Sequence, residues 1–142
     1  MKHLLAILAL SGLMVSALAL REHYRTDTSP CSINERWDCG IVNHSPYAAL
    51  GGIPVAVIGI AGYFLLGVLA LRRAYRSLLA AALPGLAFSL YLAHIEAHVL
   101  GVWCVYCVAS LGVISAISLL ALGTTIIRLI RKNPATPSRP TR

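Results

Sequence analysis

Charged residues cut the chain into four long apolar stretches. The run LLAILALSGLMVSALAL opens it, and the last is VASLGVISAISLLALGTTII. A helix needs about 20 mainly apolar residues to cross the hydrocarbon of a bilayer. None of the four stretches alternates with the period of two that marks a membrane barrel strand. The pattern predicts an all-α membrane protein, a four-transmembrane-helix bundle. Its helices are expected at about 4–22, 47–71, 78–99 and 102–128, with a long outer loop of about 23–46. One membrane domain then fills 1–132. The proline-rich tail NPATPSRPTR, 133–142, is expected to be disordered and to carry no further domain. The first stretch also has features of a signal peptide, a short basic start and small residues at Ala17 and Ala19. An even number of spans fits the charges better.

Composition agrees with lipid as the solvent. The 142 residues are 58% hydrophobic and 12% charged, against roughly 45–50% and about 25% in soluble domains. A soluble fold of this length cannot hide so much apolar surface. The net charge of +7 would ordinarily raise nucleic-acid binding, but its distribution says otherwise. Lys2, Arg72, Arg73, Arg76, Arg128, Arg131, Lys132, Arg139 and Arg142 all fall on one side of the expected spans. Arg21, Arg25 and Arg36 fall on the other, as do all five acids, Glu22, Asp27, Glu35, Asp38 and Glu96. The positive-inside rule then places both termini in the cytoplasm. The charge reads as topology, with no nucleic-acid partner.

That orientation puts every cysteine at the outer face. Cys31 and Cys39 lie in the loop; Cys104 and Cys107 form a Cys-x-x-Cys at the head of the fourth span. The outer compartment permits disulfides. Positions i and i+3 of a helix are neighbours, so Cys104 and Cys107 reach disulfide distance if the first turn loosens. The partial positive charge and free N–H groups of a helix start favour a thiolate there. The loop pair is widely spaced, on a segment expected to be mobile, with Trp37 as an interfacial anchor. It can bond to itself, to a partner protein or to Cys104. A structural disulfide beside an inert pair is one reading. A zinc site is another, though zinc favours two close pairs. A c-type haem would need histidine after Cys107, where Val108 stands. Two communicating redox pairs fit the placement best, with no metal.

A loop pair, a Cys-x-x-Cys opening the fourth helix, Ser45 six residues after Cys39, and the run SPYAALGGIPVAVIG together resemble the vitamin K epoxide reductase family, bacterial branch. The resemblance covers about residues 4–130. The DsbB family is also a four-helix thiol oxidase, but it has the opposite order of cysteine pairs. The resemblance implies a thiol–disulfide oxidoreductase of the bacterial inner membrane. It would oxidise a thioredoxin-like, DsbA-like extracytoplasmic protein in trans and pass two electrons to a membrane quinone, ubiquinone or menaquinone. Cys107 would face the quinone as thiolate and form a transient adduct or charge-transfer complex. Cys104 would resolve it and pair with Cys39, and Cys31 would exchange with the partner. Animal members have a tyrosine where this chain has Leu111, which counts against epoxide reduction; a thiol-driven epoxide reductase is the enzyme alternative. A disulfide-stapled, non-catalytic membrane subunit is the alternative outside enzymes.

Other candidates stand around this core. Ser45-Pro46 reads as a helix start, serine as N-cap and proline at the first position; Ser45 is equally a candidate accessory residue by resemblance. Gly51, Gly52, Ala56 and Gly59 give the second span a small-residue face suited to close packing. Val55 and Gly59 on that span, with Leu111 one turn beyond Cys107, are the candidate quinone pocket. His94, Glu96 and His98 cluster near the outer end of the third span. As interfacial residues they need no function; His94 and His98 are the candidate proton source for the quinol.

Overall fold

The computed structural model describes residues 1–132, so the expected tail at 133–142 lies outside the described residues. Helix α1 is Lys2–His23, and a short α2, Cys39–Asn43, sits in the loop that follows. A 3-10 turn, Pro46–Ala48, leads into two two-residue strands, β1 Ala49–Leu50 and β2 Ile53–Pro54. Then come α3, Val55–Leu71, α4, Tyr75–Ile95, and α5, Val105–Lys132. A π turn, Glu96–Leu100, extends α4 at its C-terminal end.

Helices α1, α3, α4 and α5 form a ring in which each packs on two neighbours: α1 on α3 and α5, and α4 on α3 and α5. α1, α4 with its π turn, and α5 are long and apolar enough to cross a membrane. α3, at 17 residues, is shorter than the usual span. Only 17–28% of each long span is buried inside the protein. Leucines and isoleucines such as Leu10, Leu119 and Ile130 point outward, a surface suited to lipid rather than water.

Lipid gives helices little hydrophobic reason to associate, so close contact between small residues matters. Along the α1–α3 seam a Cβ added to Gly12 would run into the Tyr63 ring. One added to Gly59 would lie 2.7 Å from Ser16 Oγ. Behind these contacts Leu5, Leu66, Leu78, Ile114 and Ile117 form the buried core.

Four expectations change. The second helix starts at Val55, not near residue 47. Gly51 and Gly52 have φ of 60° and 86°, the left-handed region open to glycine, and they turn β1 back on β2 with Ala49 opposite Pro54. They are turn residues, not part of a packing face; Gly59 alone of those glycines packs tightly. Ser45 does not cap a helix: its hydroxyl donates to the Val42 carbonyl at 2.7 Å, although Pro46 does open the 3-10 turn. The fourth helix starts at Val105, because Gly101, at φ 68°, ends the π turn and leaves Val102–Cys104 outside regular helix.

The loop after α1 is anchored to that segment. Asp38 N donates to Trp103 O at 3.0 Å and Trp103 N donates to Arg36 O at 2.7 Å. Trp37 packs its ring 6.4 Å from that of Trp103. The loop bearing one cysteine pair is thereby fastened beside the other.

Candidate functional site

Cys31 and Cys39 form a disulfide with Cα atoms 5.5 Å apart, while Cys104 and Cys107 are free thiols. Local polar bonds hold the loop pair. Asp38 caps α2 by accepting from Ile41 N at 3.1 Å, and Ser32 Oγ donates to the same carboxylate at 2.8 Å. Ser29 Oγ accepts from Cys31 N at 3.2 Å. Capping of this kind fixes where a short helix begins, and so fixes Cys39, its first residue.

Cys104 lies fully buried in one apolar cluster with Cys31, Cys39, Val42 and Val102. Asn43 links the two pairs: its amide donates to Cys39 O at 2.8 Å and lies 3.6 Å from Cys104 Sγ. Cys104 N donates to Glu96 Oε2 at 3.1 Å. Standing just before α5, Cys104 also accepts from backbone N–H groups of the first helical turn. Its thiol is held below the usual range, first by the hydrogen bond from the Cys107 thiol, then by the N–H groups of Cys107 and Tyr106. Burial and the Glu96 charge oppose that shift. Thiolate character is what makes a cysteine nucleophilic.

Cys107, one turn on, faces a different space. It lines a cavity of about 400 Å3 between the helices, walled mainly by apolar side chains. That volume is within the roughly 300–1,000 Å3 of small-molecule pockets. Glu96, Asn43 and Ser45 line it as well, as do Tyr63 and Ser110. The Tyr63 hydroxyl is 2.9 Å from both the carbonyl and the Oγ of Ser110. A flat apolar ring bearing oxygens suits such a space, with polar groups available to its edges.

The predicted residues divide accordingly. Cys31, Cys39 and Cys104 gather in one cluster, with Cys107 partly buried against it. Ser45, Val55 and Gly59 line the cavity. Leu111 does not: the cavity stripe of α5 is Cys107, Ser110 and Ile114, and Leu111 turns into the core. His94 and His98 pair with ring centroids 4.5 Å apart, exposed and away from the cavity lining. Sequence reasoning missed Asn43 and passed over Glu96 as interfacial. Glu96 carried a signal, being the one acid after Asp38. Asn43 carried none beyond its place one turn after Cys39. Tyr63 packs in the core and also lends its hydroxyl to the cavity wall. Among the described residues no group of three or more His, Cys, Asp or Glu could hold a metal ion.

A helical membrane protein with a disulfide beside a reduced Cys-x-x-Cys, itself beside an apolar cavity, is built as a membrane thiol–disulfide redox protein. The family model described as the Vitamin K epoxide reductase family matches residues 3–122, and the chain belongs to that family. Membership makes it a membrane oxidoreductase of disulfide and quinone-type chemistry. No curated protein matches the chain significantly.

Proposed function

We propose that the protein oxidises a thioredoxin-like protein outside the cytoplasm and reduces a quinone of the bacterial inner membrane. One observation carries the reading: Cys104 packs with the loop disulfide, and Cys107, one helical turn away, faces the apolar cavity. The thiol pair is thus positioned between a protein-facing and a lipid-facing exchange. α3 serves as the fourth crossing, and both termini lie in the cytoplasm with the basic residues.

The chain's own residues divide the work. Cys31 meets the partner's dithiol; Cys39, freed as a thiolate, attacks Cys104 of the Cys104–Cys107 disulfide, and when Cys31 closes back on Cys39 the depressed Cys104 thiol leaves readily. Asn43 holds Cys39 and Cys104 together during that exchange. The cavity excludes water around Cys107, and Tyr63 and Ser110 orient a ring oxygen. A quinone bound there supplies a two-electron sink.

The test is quinone reduction by purified protein supplied with a reduced thioredoxin-like substrate. Wild type should turn over, and Cys107→Ala should lose activity by more than about a thousandfold, the scale on which a removed nucleophile tells. Equal rates would overturn the reading.

A further inference from the structure

Glu96 is 2% exposed in a largely apolar wall. A buried acid near lipid is costly and calls for a function. It opens the π turn Glu96–Leu100, a helix distortion frequent at functional sites. Its Oε2 accepts the Cys104 N–H, but Oε1 is buried with no hydrogen-bond partner. The side chain shares the cavity wall with Cys107, and its charge acts on both sulfurs. The other titratable groups on that wall are His23 of α1, Tyr47 of the 3-10 turn, Tyr63 of α3 and Tyr106 of α5. None of them is a carboxylate, and His23 Nδ1 is engaged with Asn43 O at 2.6 Å. Capping one N–H requires one neutral oxygen, which glutamine would supply. It does not account for a charge, or for a second oxygen kept free beside a reacting thiol.

We propose that Glu96 is the acid–base residue of the Cys104–Cys107 pair, taking the thiol protons as the disulfide closes and releasing them into the cavity. This assignment rests on the quinone-reducing reading above. The balance is complete. Two S–H bonds break and one S–S bond forms. Two electrons leave the sulfurs for a quinone-class acceptor, and two protons follow them to its oxygens. Each crosses in turn on Oε1, and the carboxylate is regenerated after each delivery. The partner's dithiol, acting through Cys31 and Cys39, then restores the thiols.

The experiment uses the full chain in lipid nanodiscs. In wild type with no quinone present, the Cys104–Cys107 dithiol is oxidised with diamide and followed by redox-difference infrared spectroscopy. A carboxyl protonation band should change with the thiols and vanish in Glu96→Gln. Glu96→Gln keeps an oxygen for the Cys104 N–H but cannot carry a proton. Its Cys104 thiolate, read by ultraviolet absorbance, should form at lower pH, because an opposing charge is gone. Its turnover with a soluble quinone should nevertheless fall by about a hundredfold, with Glu96→Asp recovering part. A residue that only props up the backbone gives no such opposition between thiolate yield and rate. The infrared arm on wild type needs no variant to fold. A silent carboxyl region on oxidation overturns the assignment, as does Glu96→Gln turnover within about twofold of wild type. A moving carboxyl band in a protein that reduces no quinone upholds the acid–base role and rejects the acceptor.

Discussion

The two cysteine pairs meet in one apolar cluster yet are held by different forces. The loop pair is fixed from outside by polar bonds: the Asp38 cap, Ser32 on that carboxylate, and Ser29 under Cys31. The helix pair is fixed from inside by the fold itself. The end of α4 supplies Glu96, the start of α5 supplies N–H groups, and the cavity supplies Cys107 with an apolar outlook. The first arrangement suits a disulfide that trades with proteins in water, and the second suits a dithiol that trades with something dissolved in lipid. Asn43 bonds to one pair and touches the other, so the difference in environment is kept across a very short distance.

The largest effect should come from cutting the pairs apart. Cys39→Ala removes the only sulfur of the loop that opens α2 against Cys104. Electron flow from a thioredoxin-like substrate should fall by more than about a thousandfold. Chemical reduction of Cys104–Cys107 by a small dithiol should still support quinone reduction. Full activity with the protein substrate would mean that the two pairs do not communicate through Cys39.

A smaller effect tests the inner pair alone. The hydrogen bond from Cys107 is the first cause of the depressed Cys104 thiol. Thiolate reactivity is present above a thiol's pKa and is lost as pH falls through it. With the pKa lowered, that loss lies on the acid side of an ordinary cysteine. Cys107→Ala removes the donor, so Cys104 should lose its thiolate at higher pH than in wild type, measured by ultraviolet titration of the reduced protein. An unchanged titration would hand the main role to the helix N–H groups.

Much of this comparison was legible in the sequence, and the illegible part has a physical pattern. Spacing put Cys104 and Cys107 within one turn of each other, and charge asymmetry put all four cysteines at one end of the bundle. Apolar runs located α1, α4 and α5 closely. They misplaced the start of α3, because hydropathy does not separate an apolar hairpin from a helix; Gly51-Gly52 was the mark that did. Ser45, Val55 and Gly59, singled out by resemblance or by helix face, line the cavity. Leu111 does not, because three and four residues along a helix turn by different angles, and Ser110 has the inward one. Asn43 touches Cys104 across a gap of 61 residues. Glu96 was seen as one of a cluster with His94 and His98, and only the packed fold shows that the acid turns in while both imidazoles turn out.

That split within one helix end allows the finest test. His94 and His98, read first as interfacial residues, were also the candidate proton source, and they share the end of α4 with Glu96. The exposed imidazole pair has no place on the wall that Cys107 faces. Proton delivery works at hydrogen-bond reach or through one water, so proximity along the sequence does not suffice. The double variant His94→Gln, His98→Gln should therefore keep quinone reduction within about twofold of wild type, with the same dependence on pH. A rate that falls as far as in Glu96→Gln would place the imidazoles on the proton path after all, with Glu96 as the inner station and water carrying protons between them.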